Sequence, residues 1–509
     1  MDYNLRETPI LTTKDVLSIS NQQSIDLDFT LPDYCADIEK ILKCSMKVKI
    51  FTKNLSSGQL RVEGTTVITV LYTDAGKKAL RCCEQSEPFT ATIPINQEVG
   101  EHIIDITPKP EYINCRALTQ RRLTVHGAFS LNIKVSERKL LHLFTDDTTS
   151  DLQTKLEKVS LAETKIFTED RLSISEAVTF SHQKPVETLV MSKLSCNLAE
   201  HNLSKDRLTL KGDLILRLLY ITDASTGEVD HYVCSVPFTE VVSVTDEICD
   251  ITCVNVNVDT FDVTLKTEAV TSEPVIHLEA SLCVSVSGYR EKEAEYICDA
   301  YSTDYETTLN SDIVPILTKV SPISISFSEK TDISLGEKSI VKILDIFYDT
   351  PHFKGELSDS TAEFSGKADI SILAVTAEDE LICIDRQVNL NHCHVVGEGF
   401  TDISRIKGEI STLSYRLGDA NNMELRIDVK LESVLCTKEN LNTVSSVCTV
   451  SDTKKENPHS PLTLYFADEG ESMWDISKRY STCLGTVLEE NCITDDELKS
   501  PQMIMIFRT

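Results

Sequence analysis

The chain has 509 residues, too many for one hydrophobic core and enough for three or four domains. An apolar content of 41%, with only 17 Gly and 15 Pro, excludes collagen-like or linker-dominated sequence and wholesale disorder. The formal charge of −30 repels phosphate backbones and anionic head groups, which argues against nucleic-acid binding and electrostatic membrane docking and for a neutral or basic protein partner.

Met1 to Glu7 has no apolar core after a basic start, and no apolar run is long enough to span a bilayer. A cytoplasmic protein without an integral membrane segment is expected. The 17 cysteines contain no C-x-x-C pair and read as small buried thiols on strands.

In chain order, a strand-like entry with Val16, Ile19, Ile25, Leu27 and Phe29 is followed by Leu31-Pro32-Asp33 and then Ile38-Glu39-Lys40-Ile41-Leu42. Lys47 to Thr52 alternates, Ser56-Ser57-Gly58 turns, Leu60 to Tyr72 alternates, and Asp74-Ala75-Gly76 turns back. Such a meander buries one face, with Leu60, Val62 and, beyond Gly64, Val67 or Ile68 pointing inward. Pro88-Phe89-Thr90 comes next, and Leu123 to Val135 closes the unit.

Two anchors of this unit return twice at matched spacing. Ile38 to Leu42 stands as far before Gly64 as Val186 to Val190 before Gly212 and Ile340 to Leu344 before Gly366. Beyond each glycine, at the same distance, lie Leu71-Tyr72, Leu219-Tyr220 and Leu373-Ala374. Glycine weakens a strand interior, so its recurrence indicates a bulge or a close backbone approach. Pro237-Phe238-Thr239 repeats the proline motif, whereas the third copy has Asn391 to His394 there. Ile276 to Val286 and Met423 to Val434 are the closing segments. The expected fold is mainly β, with three tandem sandwich or barrel-like domains at 1–150, 151–310 and 311–450.

The polar stretch Ser136 to Thr179 reads as the hand-over between the first two units, with Asp151 to Leu161 as a short helix. Ser451 to Pro461 (451–461) is charged, polar and proline-bearing, and reads as a linker. Residues 462–509 then change to strand, helix, helix, strand. Thr463 to Phe466 is the first strand, Ser472 caps a helix holding Trp474, Ile476 and Tyr480, Thr482 to Glu490 is the second helix, and Met503 to Phe507 closes.

This last segment resembles a LysM domain through Tyr465, Gly470, Ser472, Trp474, Ile476, Tyr480, Thr482, Asn491, Ile493, Gln502 and Ile506. It departs from the family at Glu471, Met473, Gly485 and Pro501. The resemblance implies a small βααβ domain that binds N-acetylglucosamine polymers in a groove between Gly470, Glu471, Ser472 and Met473 on one side and the Thr494 to Leu498 loop, with Asp495, Asp496, Glu497 and Leu498, on the other. Trp474, Ile476, Tyr480 and Asn491 are its expected structural core, and Met473 is expected to be exposed. The order of tandem β units and a terminal LysM module resembles the SPOCS-domain spore-coat morphogenetic proteins of endospore-forming bacteria. That resemblance implies a mother-cell scaffold at the forespore surface, joining the spore-coat morphogenetic ATPase and other coat proteins through the LysM module. The alternative is a peptidoglycan-binding protein using the same groove.

His392-Cys393-His394 places two imidazoles on one strand face with no second ligand pair nearby, so no metal is expected. Cys249 and Cys253 read as core, and Cys82-Cys83 as pointing to opposite faces. No Gly-x-Ser-x-Gly, Walker loop or His-Glu-x-x-His occurs, so neither enzymatic activity nor a cofactor is expected. Asp299 to Thr303 is read as an inter-domain contact or an ordinary strand end.

Overall fold

The alternating segments form antiparallel strands with few interruptions. The computed structural model describes residues 3–76, 79–147, 151–179, 186–223, 227–245, 248–267, 274–336, 338–418, 422–451, 453–455 and 462–507. In the first unit these are β1 (Leu5–Thr30), β2 (Ile38–Ser56), β3 (Gln59–Asp74), β4 (Leu80–Pro94), β5 (His102–Ala117) and β6 (Arg122–Asp147). They pair as two sheets, β2-β3-β4 and β1-β6-β5. The second unit repeats this with β7 (Leu152–Thr179), β8 (Thr188–Ser204), β9 (Arg207–Asp223), β10 (Glu228–Ser243), β11 (Ile251–Thr267) and β12 (Pro274–Ser302), paired as β8-β9-β10 and β7-β12-β11. The third contains β13 (Thr307–Ser334), β14 (Ile340–Tyr348), β15 (His352–Ser358), β16 (Thr361–Thr376), β17 (Leu381–Val395), β18 (Asp402–Leu417) and β19 (Asn422–Thr449). Here β14 and β15 together take the place of one strand beside β16, and β13-β19-β18 is the second sheet.

Each unit is a sandwich, because no ladder joins its two sheets among the described residues and side chains from both fill one core. In the first, Leu60, Val62 and Ile68 of β3 meet Leu123, Phe129 and Leu131 of β6. Ile68 is therefore the inward residue beyond Gly64. The fixed spacing of the two sequence anchors is the span of one hairpin, since Ile41 pairs Tyr72, Leu189 pairs Tyr220 and Ile343 pairs Ala374. A register shift follows each of these three pairs.

The recurring glycines admit an aromatic ring. A Cβ at Gly64 or Gly212 would run into the carbonyl oxygen of Lys49 or Asn197 and come within 2.7 Å of Phe89 or 2.9 Å of Phe238, the phenylalanines of the Pro-Phe-Thr motif. In the third unit the ring comes from the opposite neighbour. Phe353 of β15 pairs Gly366 and would meet its Cβ at 2.6 Å.

The three units share further cores. Leu71, Leu219 and Leu373 meet in one cluster with Leu80, Val190 and Val229, while Tyr72, Tyr220 and Ala374 turn into their own sandwiches. Cys82 joins the shared cluster and Cys83 its own core, as their opposite orientations require. At another contact, Ile10 and Leu143, Leu161 and Tyr296, and Ile316 and Leu441 pack together. The long strand pairs β1-β6, β7-β12 and β13-β19 supply these residues.

That extension corrects two readings. The first unit does give way to the second within Ser136 to Thr179, but through strands β6 up to Asp147 and β7 from Leu152 rather than a polar connector, and Asp151 to Leu161 is not a helix. Leu152 and Leu156 imitate helical spacing, but their segment pairs Ser302 to Lys292 of β12, burying Leu152 and Leu161 and leaving Leu156 exposed. Bulges bend each pair at equivalent places: Val16, Lys165 and Thr318 are the extra residues in the register on the first strands, and Thr145, Cys298 and Ser445 on the last.

Gly64→Ala should cost about 1–3 kcal/mol, the ordinary range for overpacking, because backbone as well as ring must move; the urea unfolding midpoint measures it, and an unchanged midpoint contradicts the close approach. A second expectation concerns pH. Burial pushes the thiols of Cys196, Cys253 and Cys298 to about 11 and Cys283 to about 12, from an unfolded value near 9.0. An acid raised by folding contributes fully below its unfolded value and loses that contribution above it. Lys47 and Lys193, lowered by burial to about 8 from 10.5, oppose this but are fewer. Urea midpoints should therefore fall between about pH 9 and 11, and should fall less steeply in Cys253→Ala.

Candidate functional site

The C-terminal module consists of β20 (Leu462–Ala467), α1 (Met473–Tyr480), α2 (Leu484–Glu490) and β21 (Gln502–Phe507). Ser472 caps α1, its hydroxyl accepting from the Asp475 amide at 3.4 Å. Gly470 turns the chain with φ +84°, a conformation suited to glycine. Asn491 ties α2 to β21, accepting from the Met505 amide and donating to its carbonyl, each at 2.7 Å.

The two loops of the expected groove are joined to one another. The Gly470 amide donates to the Leu498 carbonyl at 2.8 Å, the Leu498 amide to Glu471 at 3.1 Å, and the Met473 amide to Asp496 at 2.7 Å, while Ser472 and Glu497 form an isolated bridge. Asp496 also accepts from the Trp474 amide at 2.9 Å and from the Ser472 hydroxyl. The Glu471 carboxylate accepts from the Asp468 amide at 2.9 Å and the Tyr465 hydroxyl at 2.8 Å, contacts that hold its pKa below the ordinary value. Asp495 pairs with Lys499. The accessible polar groups of this groove are thus mainly the acceptors of Glu471, Asp495, Asp496 and Glu497.

Met473 is not exposed. It is fully buried with Ile476, Val487, Leu498, Ile504 and Ile506, so truncating it tests the fold of the module and not a contact. Leu498 belongs to the same core. Tyr480 packs at its edge beside Tyr465, with ring centroids 5.7 Å apart.

Trp474 is buried outside that core, against the second β unit. Its ring meets Tyr301 edge to face at 4.9 Å, and its indole N–H donates to Asp299 at 2.8 Å. Lys478 donates to both oxygens of the same carboxylate at 2.6 and 2.7 Å, and the Tyr301 hydroxyl donates to the Thr482 carbonyl at 2.7 Å. Lys155 approaches Asp496 at 3.5 Å. The stretch from Asp299 is therefore an inter-domain contact. Of the expected linker, residues 452 and 456–461 lie outside the described residues; Lys455 donates to Ser302 and Ser481 and so joins the unit to the module.

Sequence reasoning did not single out one surface. Leu464 and Phe466 on β20 face the same side as their partners Met505 and Met503 on β21, and all four are exposed, with Phe466 at 65% and Met503 at 58%. The signal was present, because both strands are apolar on alternate and intervening positions although only one face is covered by the helices. Elsewhere, His392 stacks on Phe327 at 4.7 Å, and no group of metal-ligating side chains occurs among the described residues. No helix of the described residues is long and apolar enough to cross a membrane.

The contact at Tyr301 has a built-in reporter, since Trp474 is the only tryptophan of the chain. Tyr301→Ala should shift its emission to longer wavelength and weaken docking of the module by about 3 kcal/mol, the low end for removing a buried aromatic. Unshifted emission would contradict the packing described.

Residues 37–118 match the family model described as SipL, SPOCS domain. No curated protein and no solved structure matches the chain. The matched segment runs from the start of β2 to just beyond β5 and contains Gly64, Leu71, Tyr72 and Phe89, the positions on which the three-fold repeat turns. The first β unit thus carries a SipL-type SPOCS domain, the domain of a sporulation-related coat protein.

Proposed function

We propose that the chain is a non-enzymatic scaffold of spore-coat assembly, in which three SPOCS-type sandwiches form one body and the LysM-like module grips a protein at the forespore surface. The partner that best fits the resemblance is the coat-basement ATPase. The observation that carries this reading is the exposed apolar face of Leu464, Phe466, Met503 and Met505. Fully burying an apolar side chain of this size is worth about 1.5–3 kcal/mol, so even partial coverage of four supplies several kcal/mol to a protein interface. A sugar would make little use of that face. The module's remaining surface is acidic, with nine acidic and four basic side chains over residues 461–509, which suits a partner whose apolar patch has a basic rim.

The peptidoglycan reading rests on the other side of the module, where Glu471 and Asp496 offer acceptors to hydroxyls. The two readings separate in one experiment with the full chain, purified basement-layer ATPase and purified peptidoglycan. Phe466→Asp should weaken binding of the ATPase at least tenfold, or about 1.4 kcal/mol, without unfolding the module. Sedimentation of the chain with peptidoglycan, indifferent to Phe466→Asp and without ATPase binding, would replace the scaffold reading by the glycan one.

A further inference from the structure

A chamber of about 1230 Å³ lies where the three β units face one another, walled by β2, β8, β11, β14, β15 and β18. Its size exceeds the range of about 300–1,000 Å³ usual for small-molecule sites. As many Lys and Arg as Asp and Glu line it, in a chain with 50 basic and 80 acidic side chains, so the chamber is enriched in cations.

Of the ten cations, Lys49 approaches Asp262 at 3.9 Å and Arg405 donates to the Ser287 hydroxyl, and the other eight fall into two groups. Lys43, Lys53, Arg171, Lys407 and Lys430 each have a carboxylate at 3.4 Å or closer. Lys53, Lys407 and Lys430 also donate to carbonyls of Ile104, Val256 and Leu198, which satisfies backbone exposed at the sheet edges. These are structural. Lys47, Lys193 and Arg217 have no ion pair among the described residues. Lys47 lies over the Phe261 ring at 3.7 Å and remains accessible from the chamber. Lys193 donates to the Tyr348 carbonyl and lies over the Tyr348 ring, while Arg217 donates to the Tyr348 hydroxyl at 2.7 Å.

These three cations are also close enough to repel one another. Burial lowers Lys47 and Lys193 to about 8; Lys49 and then Lys193 add to the effect on Lys47 against Glu84 and Asp262, and Arg217 adds to that on Lys193 against Asp349 and Glu409. Burial raises Asp349, which faces Lys193, and Asp345, which faces Arg217, while the cations act to lower them, and neither carboxylate forms an ion pair with these cations among the described residues. Gathering three cations in a recess without a paired carboxylate is unfavourable unless a mobile anion joins them.

We propose that the chamber takes a small multivalent anion, carrying phosphate or carboxylate groups, on Lys47, Lys193 and Arg217. The site joins the first unit to the second, with the third supplying Tyr348, so an occupant bridges the units.

Calorimetry on the full chain tests this with inorganic pyrophosphate and, separately, citrate, at matched ionic strength and pH 7. At least one should bind stoichiometrically; which one does distinguishes phosphate from carboxylate chemistry, and both outcomes support the site. Lys47→Ala, whose side chain makes only a ring contact, should fold normally and weaken binding at least tenfold, as should Arg217→Met. Lys367→Ala, exposed and outside the chamber, serves as the control. Failure of both anions to bind overturns the proposal. So does affinity in folded Lys47→Ala equal to that of the control.

Discussion

The interaction on which the structure depends is the meeting of Leu71, Leu219 and Leu373, one from each unit, in a single apolar cluster. Strand geometry makes this possible, because neighbouring side chains point to opposite faces. Tyr72 and Tyr220 fill their own sandwiches while the leucine before each faces the other units. One dipeptide therefore serves two cores. A unit alone would expose Leu71, Leu80 and the apolar ends of β1 and β6, which is why the three belong to one body and not to a string of beads. Ion pairs that cross the boundaries, such as Lys40 with Glu380 and Lys53 with Glu169, add orientation more than energy, the first being exposed.

The glycine and aromatic pair shows how the third unit keeps this arrangement despite a different sequence. In the first two units the ring over glycine comes from β4 or β10 and is introduced by Pro-Phe-Thr. The third lacks that motif, yet Phe353 fills the same need from β15 and lies against both Gly366 and Gly408. What is kept is the packing of an aromatic ring on a strand without a Cβ; which neighbouring strand supplies it is free to change. The interruption at Asp349 to Pro351, which separates β14 from β15, accompanies this change of supplier.

Much of this was legible because period-two alternation and fixed spacings are local. Leu60 to Tyr72, its two returns, the Ser472 cap and the strand-helix-helix-strand order all follow from neighbours in sequence. What escaped was set by distant partners. Leu152 and Leu156 look helical until β12 lies beside them, and Met473 looks exposed in a loop until Ile504 and Ile506 cover it. Trp474 was recognisable as buried, but its partner, Tyr301, lies 173 positions earlier and no periodicity connects the two. The apolar outer face of β20 and β21 was visible in principle, since strands apolar on both sides require cover on both sides.

The placement of Asp299 explains why the module is held and not tethered. Its carboxylate accepts from both the Trp474 indole and the Lys478 ammonium, charge-assisted bonds beside a buried ring pair. Separating the module would strand Asp299 beside Tyr301 and expose Trp474, so partial release is disfavoured relative to full docking. The strands β20 and β21 leave Leu464, Phe466, Met503 and Met505 open to solvent while Trp474 is covered. A protein seated on that face would be fixed in orientation relative to all three β units, because the module is anchored on β12, the central strand of a sheet whose same end, at Ala294 and Tyr296, packs against the other two units. Under the proposed scaffold reading, rigidity of this kind would let the direction in which a partner is presented follow from the fold rather than from a linker.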